Sequence, residues 1–192
     1  MTNNADNLTP SSLYWTVVTH DGWSLHMAAT TGGLSFVGSS GLPFDELAQW
    51  AATRMPGSAI IRDDDKLRPY AKQFIEYWEG TRREFSLPLD CRGTPFQTAV
   101  WEAMRRIPYG STASYSDIAL QLNKPSAVRA VGSAIGANPV LITIPCHRVI
   151  GKNGTLTGYR GGLPMKTALL RLEQEGSAAD SIPSQNRQTP VR

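Results

Sequence analysis

Cysteine and histidine are scarce in this 192-residue chain, with two of the first and three of the second. Cys91 and Cys146 stand far apart, and no CxxC or HxxxH spacing occurs. Neither a structural zinc site nor a disulfide-stapled fold is therefore expected. The sequence leaves a Cys91–Cys146 disulfide open, but a cytosolic location argues for free thiols. Cys91 then reads as an apolar filler. No apolar run approaches the ~18 residues that a membrane span needs. Met1 to Pro10 has neither the basic flank nor the apolar stretch of a secretory signal, so a cytoplasmic location is expected. Charge is not lopsided either. The net value of +3 permits a polyanionic partner without demanding one.

What is present divides into two parts. Tyr14 to Val18, Trp23 to Ala29 and Leu34 to Val37 read as strands of a β-meander, joined at His20-Asp21-Gly22 and Thr31-Gly32-Gly33. Glu46 to Met55 should form a helix that Pro56 and Gly57 stop. A second helix is expected over Lys66 to Glu79, with Leu67, Tyr70, Phe74, Tyr77 and Trp78 on one apolar stripe. Ser58 to Ile61 and Glu84 to Leu89 are candidate strands. This half carries no obvious chemistry and reads as scaffold.

After a boundary near Asp90 to Gly93, Thr94-Pro95-Phe96-Gln97 has the form of a capping box with proline at the first helical position. The helix it opens should run to Arg106. Ser114 with Asp117 caps a second helix through Leu122, and Ser126 is expected to cap a third that ends at Gly136. Helix, short turn, helix is the pattern of a helix-turn-helix, although any helical bundle contains such pairs. Val140 to Ile144 is apolar and β-branched, a buried strand or extended segment that delivers the chain into Pro145-Cys146-His147-Arg148-Val149. A last helix is expected over Pro164 to Gln174. In this half Arg105, Arg106, Lys124, Arg129, Arg148, Lys152, Arg160, Lys166 and Arg171 outweigh Glu102, Asp117 and Glu173, which makes it the expected face for nucleic acid.

Cys146 beside His147 is the candidate reactive pair. A free thiol has a pKa of about 8.5 and is only slightly ionised near neutrality. A neighbouring imidazole, together with the positive charge of Arg148, would raise the thiolate fraction. Adjacent residues on an extended backbone point to opposite sides. Direct contact between thiol and imidazole therefore requires a turn, for which Pro145 is well placed, or a bridging water.

The string Ile144 to Val149, IPCHRV, resembles the signature of the O6-alkylguanine-DNA alkyltransferases, the methylated-DNA–protein-cysteine methyltransferases. GTPFQTAVW, IPYGSTASY, SAVRAVGSAIGANP and GYRGGLPMK follow the family's order and spacing over Gly93 to Glu173. The N-terminal half matches only in general pattern. The resemblance implies irreversible, single-turnover transfer of an alkyl group from O6 of guanine in double-stranded DNA, and from O4 of thymine, to Cys146. It implies His147 as a base acting through a water, Glu173 as the carboxylate that holds the imidazole, and Asn138 as a pin for the segment before the cysteine. Tyr115 would stabilise the departing guanine. Tyr159, Pro145 and the backbone around Val149 and Arg160 would form the base pocket; many relatives carry serine at the Arg160 position.

The damaged base must leave the stack to reach a buried thiol. The helix after Ser126 would enter the minor groove, where Ala127, Ala130, Gly132 and Ser133 are small enough for close approach. Arg129 would fill the gap left by the flipped nucleotide. The resemblance implies no metal or organic cofactor, a monomer, and no membrane partner, with clustering on DNA left open.

Three other readings compete. A non-catalytic recognition protein of the alkyltransferase-like kind would lack the acceptor cysteine, and Cys146 argues against it. A cysteine hydrolase would need an oxyanion-hole segment that is not apparent. A regulator fused to a cysteine-rich zinc module lacks that module here. The expected fold is α/β with two domains: residues 1–92 an α+β scaffold with a small antiparallel sheet, and residues 93–175 a mostly helical domain carrying the helix-turn-helix and, on short strands, the PCHRV loop. Residues 176–192 are expected to form a flexible tail.

Overall fold

The computed structural model describes residues 12–180. Strands β1 (Leu13–His20), β2 (Trp23–Thr30) and β3 (Gly33–Val37) form the expected meander. Helix α1 (Asp45–Arg54) then carries the chain across to β4 (Ile60–Arg62), which pairs parallel to β1. The sheet, in the order β3-β2-β1-β4, is therefore mixed and not purely antiparallel. The cause is the helical crossover, which returns the chain in the direction that a tight hairpin cannot.

Helix α2 (Asp64–Trp78) begins two residues before the expected start. Asp63 caps it by accepting from Lys66 N, and Asp64 and Asp65 sit in the first turn, where the helix dipole favours negative charge. Glu84 to Leu89 does not form a strand. Leu34 N donates to Pro88 O and Asp90 N to Leu34 O, leaving one isolated bridge at Leu89. Pro88 has no N–H to extend a ladder.

Helix α3 (Pro95–Arg105) opens on a complete capping box between Thr94 and Gln97. After β5 (Ala113–Ser114), the Ser114–Asp117 pair closes a second box on α4 (Tyr115–Gln121). Asn123 then takes φ +56, Lys124 N donates to Ala119 O and Asn123 N to Leu120 O. This is a Schellman turn with asparagine in the left-handed position, and it sets the angle between α4 and α5 (Val128–Gly136). Ser126 does not cap α5. Ala127 occupies that position without a side-chain bond, because the Schellman turn already fixes the approach of the chain.

Val140 to Ile144 is not a strand. Only Val140 bridges to β3, and the chain then turns with Ile142 at φ +70, a strained conformation for a β-branched residue. Cys146 to Arg148 forms a single 3-10 turn, followed by β6 (Val149–Ile150) parallel to β5. Helix α6 (Gly162–Asp180) runs beyond Gly176, where a flexible tail was expected. Tertiary contact outweighs the low apolar content there: Arg83 Nη2 donates to Gly176 O at 2.8 Å. The rest of the expected tail, residues 181–192, lies outside the described residues, as does the segment Met1 to Pro10.

The two halves share one core. Leu25, Met27 and Val37 of the sheet, Phe74 and Tyr77 of α2, Val100, Trp101 and Met104 of α3, Val131 of α5 and Leu169 of α6 belong to a single buried cluster that includes Cys146. Ala28, next to Met27 on β2, faces the other side, onto Phe36, Leu47 and Ala51. The β3 edge does not end in solvent. Val37 N donates to Pro139 O at 2.9 Å, and Leu141 N reaches Val37 O at 3.4 Å. The N-terminal sheet thus holds the segment that leads to Cys146. Among the described residues no helix is long and apolar enough to cross a membrane.

Gly33 marks the tightest approach in this platform. Its φ is +142, and a Cβ there would lie 2.4 Å from Pro88 O. Gly33→Ala should therefore destabilise the protein by at least about 2 kcal/mol. The urea midpoint should fall with an unchanged slope, and a midpoint within error of the parent would contradict this account.

Candidate active site and nucleic-acid interface

Cys146 sits where the backbone bends twice. Pro145 has φ −82 and ψ 62, and Cys146 N donates back to Ile144 O at 2.8 Å, an inverse γ-turn. The 3-10 turn follows at once. These bends send Cys146 and His147 into different environments. The thiol reaches a cavity of about 650 Å³ lined by Tyr115, Gly132, Ile135, Gly136, Thr157, Gly158, Tyr159 and Arg160. The imidazole of His147 is fully buried against α6.

Asn138 holds the thiol. Its Nδ2 donates to Cys146 Sγ at 3.1 Å and to Ile144 O at 2.9 Å, while its Oδ1 accepts from Val140 N at 3.0 Å. One side chain thereby ties both ends of the bend together. Both cysteines are free. Burial pushes the Cys146 thiol above its ordinary pKa, opposed by the Asn138 bond and by the charges of Arg160 and Lys166. Arg148 does not serve the thiol, contrary to the sequence expectation. Its guanidinium donates to Glu173 from Nε and Nη2, and to Ile107 O at 2.6 Å. Cys91 is pushed up to about 12, mainly by burial, and is correspondingly inert.

His147 Nε2 lies 2.9 Å from Glu173 Oε1. Burial would raise the Glu173 carboxyl, but the bond and charge of His147, and then those of Arg148, hold it down at about 2. An ionised carboxylate only accepts, so Nε2 carries the proton and Nδ1 presents a lone pair. Nδ1 is buried with no protein partner. Burial, followed in weight by the opposing pull of Glu173, leaves the His147 pKa below its ordinary value. The result is a neutral imidazole with a fixed tautomer and a buried acceptor that no protein group occupies. That is the form a general base requires.

Glu173 also accepts from Tyr77 Oη at 2.6 Å and from Gly110 N at 3.1 Å. Neither partner was expected from sequence. Tyr77 reads there only as one member of an apolar stripe, and a backbone N–H leaves no sequence trace. Lys166, read from sequence only as one cation of the basic face, is instead fully buried and donates to Val149 O at 2.6 Å and Thr157 O at 2.9 Å. It clasps the two sides of the loop that encloses the cavity.

The expected base-pocket residues separate. Tyr159 and Arg160 line the cavity with Cys146, whereas Pro145 faces a neighbouring groove with Arg106 and Tyr109. Pro145 is turned away because it forms the bend behind the cysteine. Val149 is buried outside the lining, and its carbonyl already accepts from Lys166. Arg160 reaches back to the N-terminal half: Nη1 pairs with Glu46 Oε1 at 2.7 Å, and Nη2 donates to Val37 O at 2.6 Å and Pro139 O at 3.1 Å. Its own carbonyl accepts from Ser39 Oγ at 3.2 Å. Tyr159 Oη is buried without a protein partner.

Tyr115, the first residue of α4, stands at the cavity mouth, where its Oη accepts from Thr157 Oγ1 at 3.1 Å. Gly132 of α5 packs toward its ring. The outward side of α5 exposes Arg129, Ala130 and Ser133, with Ser126 exposed just before the helix and Ala127 half-buried. The cavity therefore opens beside a smooth helix face that carries one long cation.

A nucleophilic thiol, an oriented imidazole and a carboxylate beside a helix-turn-helix define a DNA-binding protein with a covalent acceptor. Residues 95–175 match the family model described as 6-O-methylguanine DNA methyltransferase, DNA binding domain. The inducible methylated-DNA–protein-cysteine methyltransferase of Bacillus subtilis is 58% identical over 172 residues, covering 90% of this chain and 96% of that protein. The crystal structure of Mycobacterium tuberculosis O6-methylguanine methyltransferase superimposes with a TM-score of 0.75 at 35% identity, covering 90% of this chain and 96% of the other. The same organism's OGT in complex with DNA gives 0.73 at 39% identity, covering 85% and 94%. This chain belongs to the methylated-DNA–protein-cysteine methyltransferase family.

The buried cluster predicts how stability responds to acid. A carboxyl held at about 2 against an ordinary 4.5 stabilises the fold fully above pH 4.5, and that contribution disappears as pH falls toward 2. A shift of this size corresponds to roughly 3 kcal/mol. Urea denaturation across this range should show the loss in the parent protein. Glu173→Gln should be less stable at neutral pH and should show a flatter acid limb; parallel limbs in the two proteins would contradict the assignment.

Proposed function

We propose that this chain repairs DNA by direct reversal, moving an alkyl group from O6 of guanine to Cys146 in a single irreversible step. The observation that carries the reading is the Asn138-held thiol at the wall of the cavity, one residue before an imidazole whose tautomer Glu173 fixes, in a chain of this family. His147 Nδ1 takes the thiol proton through a water. Sγ attacks the alkyl carbon, the S–C bond forms as the C–O6 bond breaks, and guanine leaves. The net proton moves from thiol to guanine, and Tyr115 assists by a hydrogen bond to the departing base. No residue nearby can cleave the resulting thioether, so the protein acts once.

Burial raises the Cys146 thiol above its ordinary pKa, so in this reading the base removes the proton for transfer. The flipped base would enter beside Tyr159 and the Arg160 backbone, and α5 would lie in the minor groove with Ser126, Ala127, Ala130, Gly132 and Ser133 close to the backbone. Arg129 would occupy the position that the base vacates. In this reading residues 1–92 and 93–175 act as two domains of a monomer in the cytoplasm, where a free thiol stays reduced. O4 of alkylated thymine is a second substrate of the same chemistry.

Incubation with a methylguanine duplex should add ~14 Da to the Cys146 peptide, one methylene, as expected for a covalent acceptor. Incorporation should stop at one alkyl group per chain, with none on Cys91, and Cys146→Ala should abolish transfer while still binding DNA. Multiple turnover, or label on Cys91, would sink the proposal.

Flipping a base costs roughly a few kcal/mol, and about 1.4 kcal/mol is a tenfold change in an equilibrium constant. Arg129→Ala should then slow single-turnover repair of duplex DNA by tens- to hundreds-fold at saturating protein. The slower reaction with free alkylguanine base, which needs no flipping, should be nearly unchanged. Equal losses on both substrates would place Arg129 in support of the pocket and overturn its role in the duplex.

A further inference from the structure

The N-terminal half sends one hydroxyl into the catalytic cluster. Tyr77 lies near the end of α2, is fully buried, and donates from Oη to Glu173 Oε1 at 2.6 Å. The same oxygen faces His147 Nε2 at 2.9 Å, Arg148 Nη2 at 2.8 Å and Arg148 Nε at 3.1 Å. Arg148 Nε is shared with Oε2 at 3.0 Å. A carboxylate has about four lone-pair sites over two oxygens, so Tyr77, His147 and the guanidinium gathered on Oε1 compete for the same electron density. The Tyr77 ring is held in place, tilted against Phe85 at 5.3 Å and edge-on to Tyr109 at 6.0 Å. Burial, and then the charge of Glu173, keep its phenol far from ionising, so it stays a donor throughout the working range.

We propose that Tyr77 is a positioning residue for alkyl transfer: its hydroxyl fixes the Glu173 carboxylate and limits how strongly Oε1 draws the His147 Nε2 proton, keeping the imidazole neutral and its Nδ1 available. The proposal rests on the reading of His147 as the base. A carboxylate relieved of one donor becomes a stronger acceptor for those that remain, and a stronger acceptor at Nε2 favours imidazolium. Imidazolium has no lone pair at Nδ1 and cannot take the thiol proton. The other charged groups that act on His147 are Arg148 from its own turn and Glu173 and Lys166 from α6. Arg148 and Lys166 act in the same direction as Tyr77, by charge. Tyr77 acts only by sharing the acceptor, so removing its hydroxyl changes the hydrogen bond without changing the net charge.

Tyr77→Phe keeps the ring and deletes the donor. The His147 imidazole is followed by NMR in the intact protein across pH, and single-turnover transfer from a methylguanine duplex is measured over the same range. The His147 midpoint should rise by about half to one pH unit, and the acid limb of the transfer rate should move up with it. A midpoint that does not move, with only lower thermal stability, would make Tyr77 a scaffold residue and overturn the proposal. Fluorotyrosine installed at position 77 keeps ring and hydroxyl but donates more strongly, and should move the midpoint down. This second protein decides the question if the phenylalanine variant does not fold: an unmoved midpoint there also overturns the proposal. A midpoint that moves while the rate profile stays fixed upholds the Tyr77 contact and removes His147 as the base.

Discussion

The carboxylate of Glu173 is the point to which separate parts of the chain converge. It is fully buried, and a buried charge is stable only when surrounded by donors. Those donors come from α2 through Tyr77, from the loop after α3 through Gly110, and from the active turn through His147 and Arg148. Each is placed by an element whose other faces belong to the common core. The negative charge therefore acts as a constraint on assembly: α2, the Gly110 loop and α6 must all be docked before it is satisfied. The same constraint selects the His147 tautomer. Folding and the choice of imidazole tautomer are one event at this residue.

The order of elements was legible because it depends on local signals. Thr94 with Gln97 and Ser114 with Asp117 announce helix starts, and both capping boxes are present as read. The meander follows from alternation and glycine turns. Errors arose where tertiary contact overrides local preference. Val140 to Ile144 has strand composition, yet the bend before Cys146 requires a turn, and Ile142 adopts positive φ to make it. Helix α6 continues past Gly176 because Arg83 meets it from across the fold. The direction of β4 could not be read from three residues, since parallel pairing depends on where α1 delivers the chain.

The site was legible to the extent that it is compact in sequence. Pro145, Cys146 and His147 announce themselves as a string, and Asn138 and Glu173 entered through the family resemblance. Arg148 was assigned to the wrong partner, because adjacency to Cys146 in sequence suggested adjacency of charge to thiol. The 3-10 turn carries Arg148 together with His147 toward α6, and the guanidinium meets Glu173 instead. The roles of Tyr77 and Lys166 were invisible for a different reason. A tyrosine in an apolar stripe looks like core until its hydroxyl finds a partner, and a lysine that bonds only to carbonyls has no side-chain motif to mark it.

The pairing of β3 with Pro139 and Leu141 has a consequence for solubility. A free strand edge is a template for another chain. Here one outer strand is covered by the segment that leads to the cysteine, and the other, β4, is only three residues long and followed by Asp63, Asp64 and Asp65. Opening the Val37–Pro139 contact would bare a sticky ladder and loosen the anchor of the nucleophile in the same motion. Aggregation and exposure of the Cys146 thiol are thus mechanically linked, and that thiol stays sheltered for as long as the sheet stays sealed.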